Sequence, residues 1–219
     1  MKIEVMKALM EDNTSKAQRL RSLFSEKKVL VLNLISSPGS GKTTLLEKTL
    51  AELKDRYSIG VIEGDITTAR DAERLTQFNI PQVVINTDGA CHLNANSIEK
   101  ALESFDLDTL DLLFVENVGN LVCPSEFDIG EYAKIAMVST TEGDDKPAKY
   151  PLLFQEAKLA LLNKTDLIPY TNFNSDAFYR DLQDINPGIP VLEMSCITND
   201  GLSNWFEWII AELKKEEDT

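Results

Sequence analysis

Two periodicities divide the chain. Up to residue 28 the apolar positions Met6, Leu9 and Met10, then Ala17, Leu20, Leu23 and Phe24, recur at helical spacing, which predicts amphipathic helical turns interrupted near Asp12-Asn13. From residue 29 onward short continuous apolar runs take over. They predict buried strands over Val29–Ile35, Ser58–Glu63, Gln82–Ile85, Leu112–Glu116, Ile135–Ser139, Leu159–Leu162 and Val191–Met194. Between them lie helical segments: one over Thr44–Arg56, others beginning near Thr68, Asn96, Pro151, Ser175 and Gly201. Alternating strands and helices predict an α/β, doubly wound and mostly parallel sheet, with ligands at the C-terminal ends of the strands. Residues 1–28 read as a helical N-terminal extension packed on one domain, residues 29–219, with a frayed charged tail from Lys214. No internal repeat or low-complexity tract interrupts it.

Composition narrows the function classes. The 219 residues are 43% hydrophobic, enough for one sizeable core. The net charge of −14 argues against non-specific binding to nucleic acid or to an anionic membrane, and suits metal cations or a basic partner. No apolar run approaches the roughly 20 residues of a membrane span, and the charged stretch Met1 to Asn13 lacks a signal-peptide core. Three cysteines, an odd number, fit a reducing cytoplasm better than a disulfide scaffold.

The first predicted strand ends in Ser36-Ser37-Pro38-Gly39-Ser40-Gly41-Lys42-Thr43 and leads into a helix, the context a phosphate-binding P-loop needs. Backbone N–H groups of Gly39, Ser40, Gly41 and Thr44 are placed to cradle β- and γ-phosphates, Lys42 to add a point charge, and the Thr43 hydroxyl to ligate Mg²⁺. The pattern GxxxxGK[ST] asks for glycine at position 36, where this chain has serine. A second motif, Asn163-Lys164-Thr165-Asp166, follows the apolar run Leu159–Leu162 and matches NKxD. The Asp166 carboxylate can accept from guanine N1–H and the exocyclic amine, two donors that adenine lacks, and such polar pairing rejects an unpaired analogue by roughly 10⁴–10⁵. Together the two motifs predict GTP and GDP as ligands.

Carboxylates belong beside such phosphates. Asp111-Leu112-Leu113-Phe114-Val115-Glu116 is a strand ending in an acid with Gly119 three residues later, so Glu116 takes the Mg²⁺-holding place and Gly119 the γ-phosphate-sensing one, as ExxG instead of DxxG. Asp65, after the strand ending at Glu63, is a second Mg²⁺ candidate, or else a helix N-cap. Near the C-terminus Ser195-Cys196-Ile197 follows the last strand, where a backbone loop could touch the base; Cys196 reads as that contact or as structural packing. A separate constellation combines Cys91-His92, the only histidine, with Cys123-Pro124 just past the switch. Two thiolates and an imidazole suit Zn²⁺ or Ni²⁺, while a lone free cysteine is commonly buried packing; residue types alone leave both readings open.

With the P-loop, Glu116-Asn117-Val118-Gly119-Asn120, the Cys-His pair, Cys123-Pro124 and Ser139-Thr140-Thr141-Glu142-Gly143-Asp144-Asp145-Lys146 in order, the chain closely resembles the HypB family of nickel-incorporation GTPases over roughly Val29 to Ile210. The resemblance implies a SIMIBI-class G domain with low GTPase activity that dimerises with GTP. It implies that Cys91, His92 and Cys123 bind Zn²⁺ or Ni²⁺ at the dimer interface, and that hydrolysis gates nickel delivery to the large subunit of [NiFe]-hydrogenase. The implied partners are a HypA-type nickel chaperone and, in some members, a prolyl-isomerase-type chaperone. Lys149 matches a position that contacts nucleotide across the dimer in relatives. Some members carry a second histidine four residues after the first, where this chain has Asn96, and some carry an N-terminal Cys-rich motif or His-rich tract that this chain lacks.

Two rivals frame the reading. A urease accessory G protein is expected to carry a compact Cys-Pro-His, whereas here Cys123-Pro124 is followed by Ser125 and the histidine stands upstream beside Cys91. A nucleotide-gated scaffold without useful turnover would use its cysteines as packing.

Overall fold

The computed structural model describes residues 2–65, 70–87 and 89–217, the side chains of residues 2–9, 65, 70–72 and 217 aside. Its seven strands are β1 (Leu30–Ser36), β2 (Ile59–Asp65), β3 (Gln82–Asn86), β4 (Leu112–Glu116), β5 (Ala133–Ser139), β6 (Ala157–Asn163) and β7 (Val191–Glu193). They form one sheet in the order β3-β2-β4-β1-β5-β6-β7, and every pairing is parallel. The helices are α1 (Lys2–Lys27), α2 (Lys42–Leu53), α3 (Arg70–Leu75), α4 (Ala95–Ala101), α5 (Cys123–Glu126), α6 (Lys146–Lys149), α7 (Pro151–Glu156), α8 (Ser175–Ile185) and α9 (Leu202–Glu217).

A parallel sheet needs cover on both faces, and side-chain alternation along β1 shows how it is met. Leu30, Leu32 and Leu34 join the core beneath α2 and α9, where Trp205 Nε1 donates to Thr49 Oγ1 at 2.9 Å. Val31 points the other way, into the core shared with α1 and α4, and Ile35 into the one beneath α7 and α8. Each fully buried Leu or Phe contributes roughly 1.5–3 kcal/mol, so this double layer fixes the ends of β1, β2, β4 and β6 along one rim.

The expected interruption near Asp12-Asn13 is not found: α1 runs unbroken from Lys2 to Lys27. Asparagine disfavours helix interiors because its amide competes for nearby backbone groups. Here that amide is engaged elsewhere, Asn13 Nδ2 donating to the Asp128 carbonyl at 2.8 Å and Oδ1 accepting from Ala95 N at 2.9 Å. Further along, Ala17, Leu20 and Phe24 bury against α4, and α1 crosses so near Gly130 that a Cβ there would stand 2.7 Å from Leu20 Cβ. The helix expected near Thr68 is described from Arg70, since residues 66–69 lie outside the described residues. Two short helices, α5 and α6, have no counterpart in the sequence reading; each carries proline in its first turn, which pre-sets φ for helix entry.

Candidate functional site

The rim formed by β1, β2, β4 and β6 surrounds a cavity of about 530 Å³, lined among others by Gly39, Gly41, Lys42, Thr43, Thr44, Glu63, Glu116 and Gly119. β1 turns into α2 through Gly39 at φ +76° and Gly41 at φ +105°, a left-handed backbone that only glycine adopts without strain. Ser36 is the last residue of β1 and keeps a negative φ, so nothing about its backbone requires glycine. Its hydroxyl has a use instead: it accepts from Lys42 Nζ at 2.8 Å and from Ser40 Oγ at 2.5 Å. Lys42 and Thr43, both buried, open α2 so that its N-terminal amides face the cavity.

Three oxygen-bearing side chains converge beside that helix end. Thr43 Oγ1 donates to Glu116 Oε1 at 2.9 Å. Glu63 stands directly across from Glu116 in the β2–β4 register, and both carboxylates are buried, 4% and 6% exposed. Two buried acids on neighbouring strands with an adjacent hydroxyl make an all-oxygen donor set that fits a hard divalent cation such as Mg²⁺. Asp65 ends β2, and its side chain lies outside the described residues. Glu63 was read from the sequence only as a strand end; the signal that could have singled it out is an acid closing an apolar run beside the P-loop. Arg74 was also missed. It reaches the cavity while bonded to Glu47 and, at 3.0 Å, to Thr44 Oγ1.

The NKxD segment closes the far side. Asn163 Nδ2 donates to the Ser40 carbonyl at 2.8 Å and its Oδ1 accepts from Cys196 N at 3.2 Å, tying the P-loop to the last loop. Lys164 Nζ donates to the Gly39 carbonyl at 2.7 Å. Asp166 Oδ1 is buried and has no hydrogen-bond partner among the described residues, which leaves an acceptor suited to the two guanine donors. Ser195 caps its own loop, its Oγ accepting from Ile197 N and Thr198 N. The Cys196 thiol is packed in the core, where burial pushes it up to about 11 despite a side-chain hydrogen bond with Asn163, so both its backbone and its thiol meet that asparagine. Lys149 lies on α6 outside the cavity, ion-paired at 2.5 Å with Asp145 one turn earlier, and that carboxylate raises its pKa.

The cysteine–histidine constellation assembles. Ligand atoms of Cys91, His92 and Cys123 all lie within 4.8 Å of one another, with Cys91 Sγ 3.6 Å from His92 Nδ1. Cys91 and His92 sit in the loop between β3 and α4, whereas Cys123 is the first residue of α5. The Cys91 thiol is pushed up by its hydrogen bond to Cys123 and by burial, while burial lowers His92 and favours the neutral imidazole a metal requires. Phe127 stacks on the His92 ring at 3.9 Å and fixes its plane, a contact no sequence motif announced.

Residues 30–193 match the CobW/HypB/UreG nucleotide-binding domain family. The chain is 46% identical over 207 residues to the hydrogenase maturation factor HypB of Escherichia coli K12, covering 94% of this chain and 71% of that one. Its fold superposes with TM-score 0.86 on the crystal structure of HypB from Helicobacter pylori in complex with nickel, at 37% identity and covering 93% of this chain and 96% of the other. The signal recognition particle receptor FtsY of Elizabethkingia anophelis shares the fold, with TM-score 0.54 at 13% identity over 83% of this chain and 65% of that one.

Proposed function

Because the chain belongs to the CobW/HypB/UreG family, and within it to the HypB maturation factors, we propose that it is a GTP-hydrolysing metallochaperone. In this reading it carries nickel at Cys91, His92 and Cys123 and releases it during [NiFe]-hydrogenase maturation. One observation carries the proposal: the segment from Glu116 to Cys123 supplies both a carboxylate lining the nucleotide cavity and a ligand of the metal cluster. Nickel, rather than zinc, is favoured as cargo because a relative with the same fold was crystallised with it.

GTP would lie with its base on Asp166 and its phosphates over the loop from Gly39 to Thr44. Lys42 would leave Ser36 for the β- and γ-oxygens, which attract its charge more strongly than a neutral hydroxyl does. Thr43, Glu116, Glu63 and, by its place in the chain, Asp65 would hold Mg²⁺, which neutralises charge developing between the β- and γ-phosphates. Gly119 approaches the P-loop so closely that a Cβ would stand 2.8 Å from Pro38 Cγ, and this proximity supports its N–H as the γ-phosphate contact. Turnover would be low, as the likeness to the HypB maturation factors implies. Lys149 is assigned the trans contact in a homodimer, and a HypA-type chaperone and the hydrogenase large subunit are the proposed partners in the cytoplasm.

The test combines turnover with metal uptake. GTP hydrolysis across a Mg²⁺ titration should fall at least about tenfold in Thr43→Ala, and equilibrium dialysis should show Ni²⁺ bound by the wild type and lost in Cys123→Ala. Equal turnover in the two proteins would favour the scaffold reading, and undiminished Ni²⁺ in Cys123→Ala would remove the cluster from cargo binding.

A further inference from the structure

The dipeptide Cys91-His92 is held on both sides by asparagines of the nucleotide switch. Its leading edge is the Cys91 carbonyl, which accepts from Asn120 Nδ2 at 3.3 Å. Its trailing edge is the Leu93 N–H, which donates to Asn117 Oδ1 at 3.1 Å. Asn117 directly follows Glu116 and Asn120 directly follows Gly119, within the motif Glu116-Asn117-Val118-Gly119-Asn120.

Asn117 is anchored as a rigid part must be. Its backbone N–H donates to the Leu34 carbonyl of β1, and the same Oδ1 also accepts from Val118 N at 3.0 Å. Its Nδ2 donates to Asn33 Oδ1 at 3.1 Å, Asn33 Nδ2 donates to Glu131 Oε1 at 3.2 Å, and Glu131 Oε2 accepts from Ile129 N at 2.8 Å. Asn33, Asn117 and Glu131 are 0%, 1% and 6% exposed. Placing three polar side chains in the core is expensive unless each is satisfied, and here every one has partners. Neither nucleotide chemistry nor metal ligation needs this chain, so it calls for another account.

We infer that Asn117 and Asn120 are positioning residues that transmit the state of the Glu116–Gly119 switch to the Cys91-His92 half of the metal site. A γ-phosphate drawing on the Gly119 N–H would displace backbone on both flanks of that glycine. The Asn117 and Asn120 amides would carry the displacement to Leu93 N and Cys91 O, and Cys123, four residues on, moves on the same segment. All three ligands are then governed by one short strap. The proposal rests on the reading that GTP and metal both bind this chain.

Calorimetry should measure the Ni²⁺ dissociation constant with GDP–Mg²⁺ and with a non-hydrolysable GTP analogue–Mg²⁺. The ratio of the two in the wild type should be about fivefold or more, the usual range of allosteric coupling, and it should fall toward one in Asn120→Ala and in Asn117→Ala. A wild type that binds both ligands with a ratio of one overturns the coupling while leaving the metallochaperone reading standing. A variant ratio equal to that of the wild type overturns the role of these asparagines alone. Failure of the wild type to bind Ni²⁺ or GTP overturns both readings. Asn117→Ala leaves two buried N–H groups unsatisfied and can fail to fold, so a measurement on the wild type stands beside it. Amide exchange of Leu93, without Ni²⁺, should change severalfold between GDP and the GTP analogue, and identical exchange in the two states overturns the inference.

Discussion

Position 36 carries serine where the phosphate-loop pattern places glycine, and the departure is harmless for a stated reason. The strain in this loop falls at Gly39 and Gly41, not at residue 36. Gly41 is the more demanding of the two: a Cβ there would stand 2.6 Å from Asn163 Nδ2, the group that bridges the P-loop and the base-reading motif. Gly41→Ala therefore combines left-handed strain of about 1–2 kcal/mol with a broken bridge, and GTP affinity by calorimetry should fall at least about tenfold. Asp166 makes a different kind of claim. Replacing it with asparagine exchanges one acceptor for a donor, so GTP binding should weaken by about 1.5–3 kcal/mol. Xanthosine triphosphate, which offers an oxygen where guanine has its amine, should then bind the variant better than GTP does. Equal ATP and GTP affinity in the wild type would sink the guanine assignment. Motif residues such as these were legible because their chemistry is tied to fixed spacing. Glu63, Arg74 and Phe127 were not, since what recruits them is the lateral neighbour each meets in space: Glu116 across the sheet, Thr44 on α2, His92 in the loop.

Among elements, the strands were the most legible, because a sheet buried on both faces writes each strand as an unbroken apolar run. All seven anticipated runs became strands, with ends displaced by no more than a few residues. What the runs could not convey is the tertiary use of polar side chains, and α1 shows this best. Asp12-Asn13 reads locally as a helix break, yet Asn13 bonds to the α4 entry and to the loop before β5, and Lys16 Nζ donates to Asn96 Oδ1 at 2.9 Å beside it. Asn13→Ala would gain helix propensity of about 0.7 kcal/mol at most. It would strand the Ala95 N–H and the Asp128 carbonyl, at about 1–3 kcal/mol for a buried group left without a partner. The second effect should win, lowering the urea midpoint by an amount equivalent to about 1–2 kcal/mol. A variant as stable as the wild type, or more so, would show that α1 is held by its apolar face alone. The short helices α5 and α6 escaped the sequence reading because four residues are too few to display a period.

For the whole molecule, the cluster of Cys91, His92 and Cys123 sets a counting problem. Cys91, His92 and Cys123 offer three donors, while a closed tetrahedral site wants four. No other histidine exists in the sequence, and the remaining cysteine, Cys196, is packed in the core under α9. A second copy related by a two-fold axis brings six donors together. If one thiolate from each chain bridges, six donors make about eight bonds, enough for two four-coordinate ions. Metal should therefore drive dimerisation, and since Cys123 follows the Glu116–Gly119 switch, GTP should favour the same assembly, each ligand raising the other's affinity. Sedimentation with metal analysis checks this on the wild type and Cys91→Ala. The wild type with Ni²⁺ or Zn²⁺ and a GTP analogue should run as a dimer holding one ion per chain. Cys91→Ala should lose the ion and require about tenfold more protein to dimerise, the equivalent of about 1.4 kcal/mol. A wild type that stays monomeric with both ligands, or a variant that keeps its full complement of metal, would mean that the fourth ligand is water or a partner's side chain. Nickel would then be held singly and open to exchange, and hydrolysis would have no shared interface to loosen.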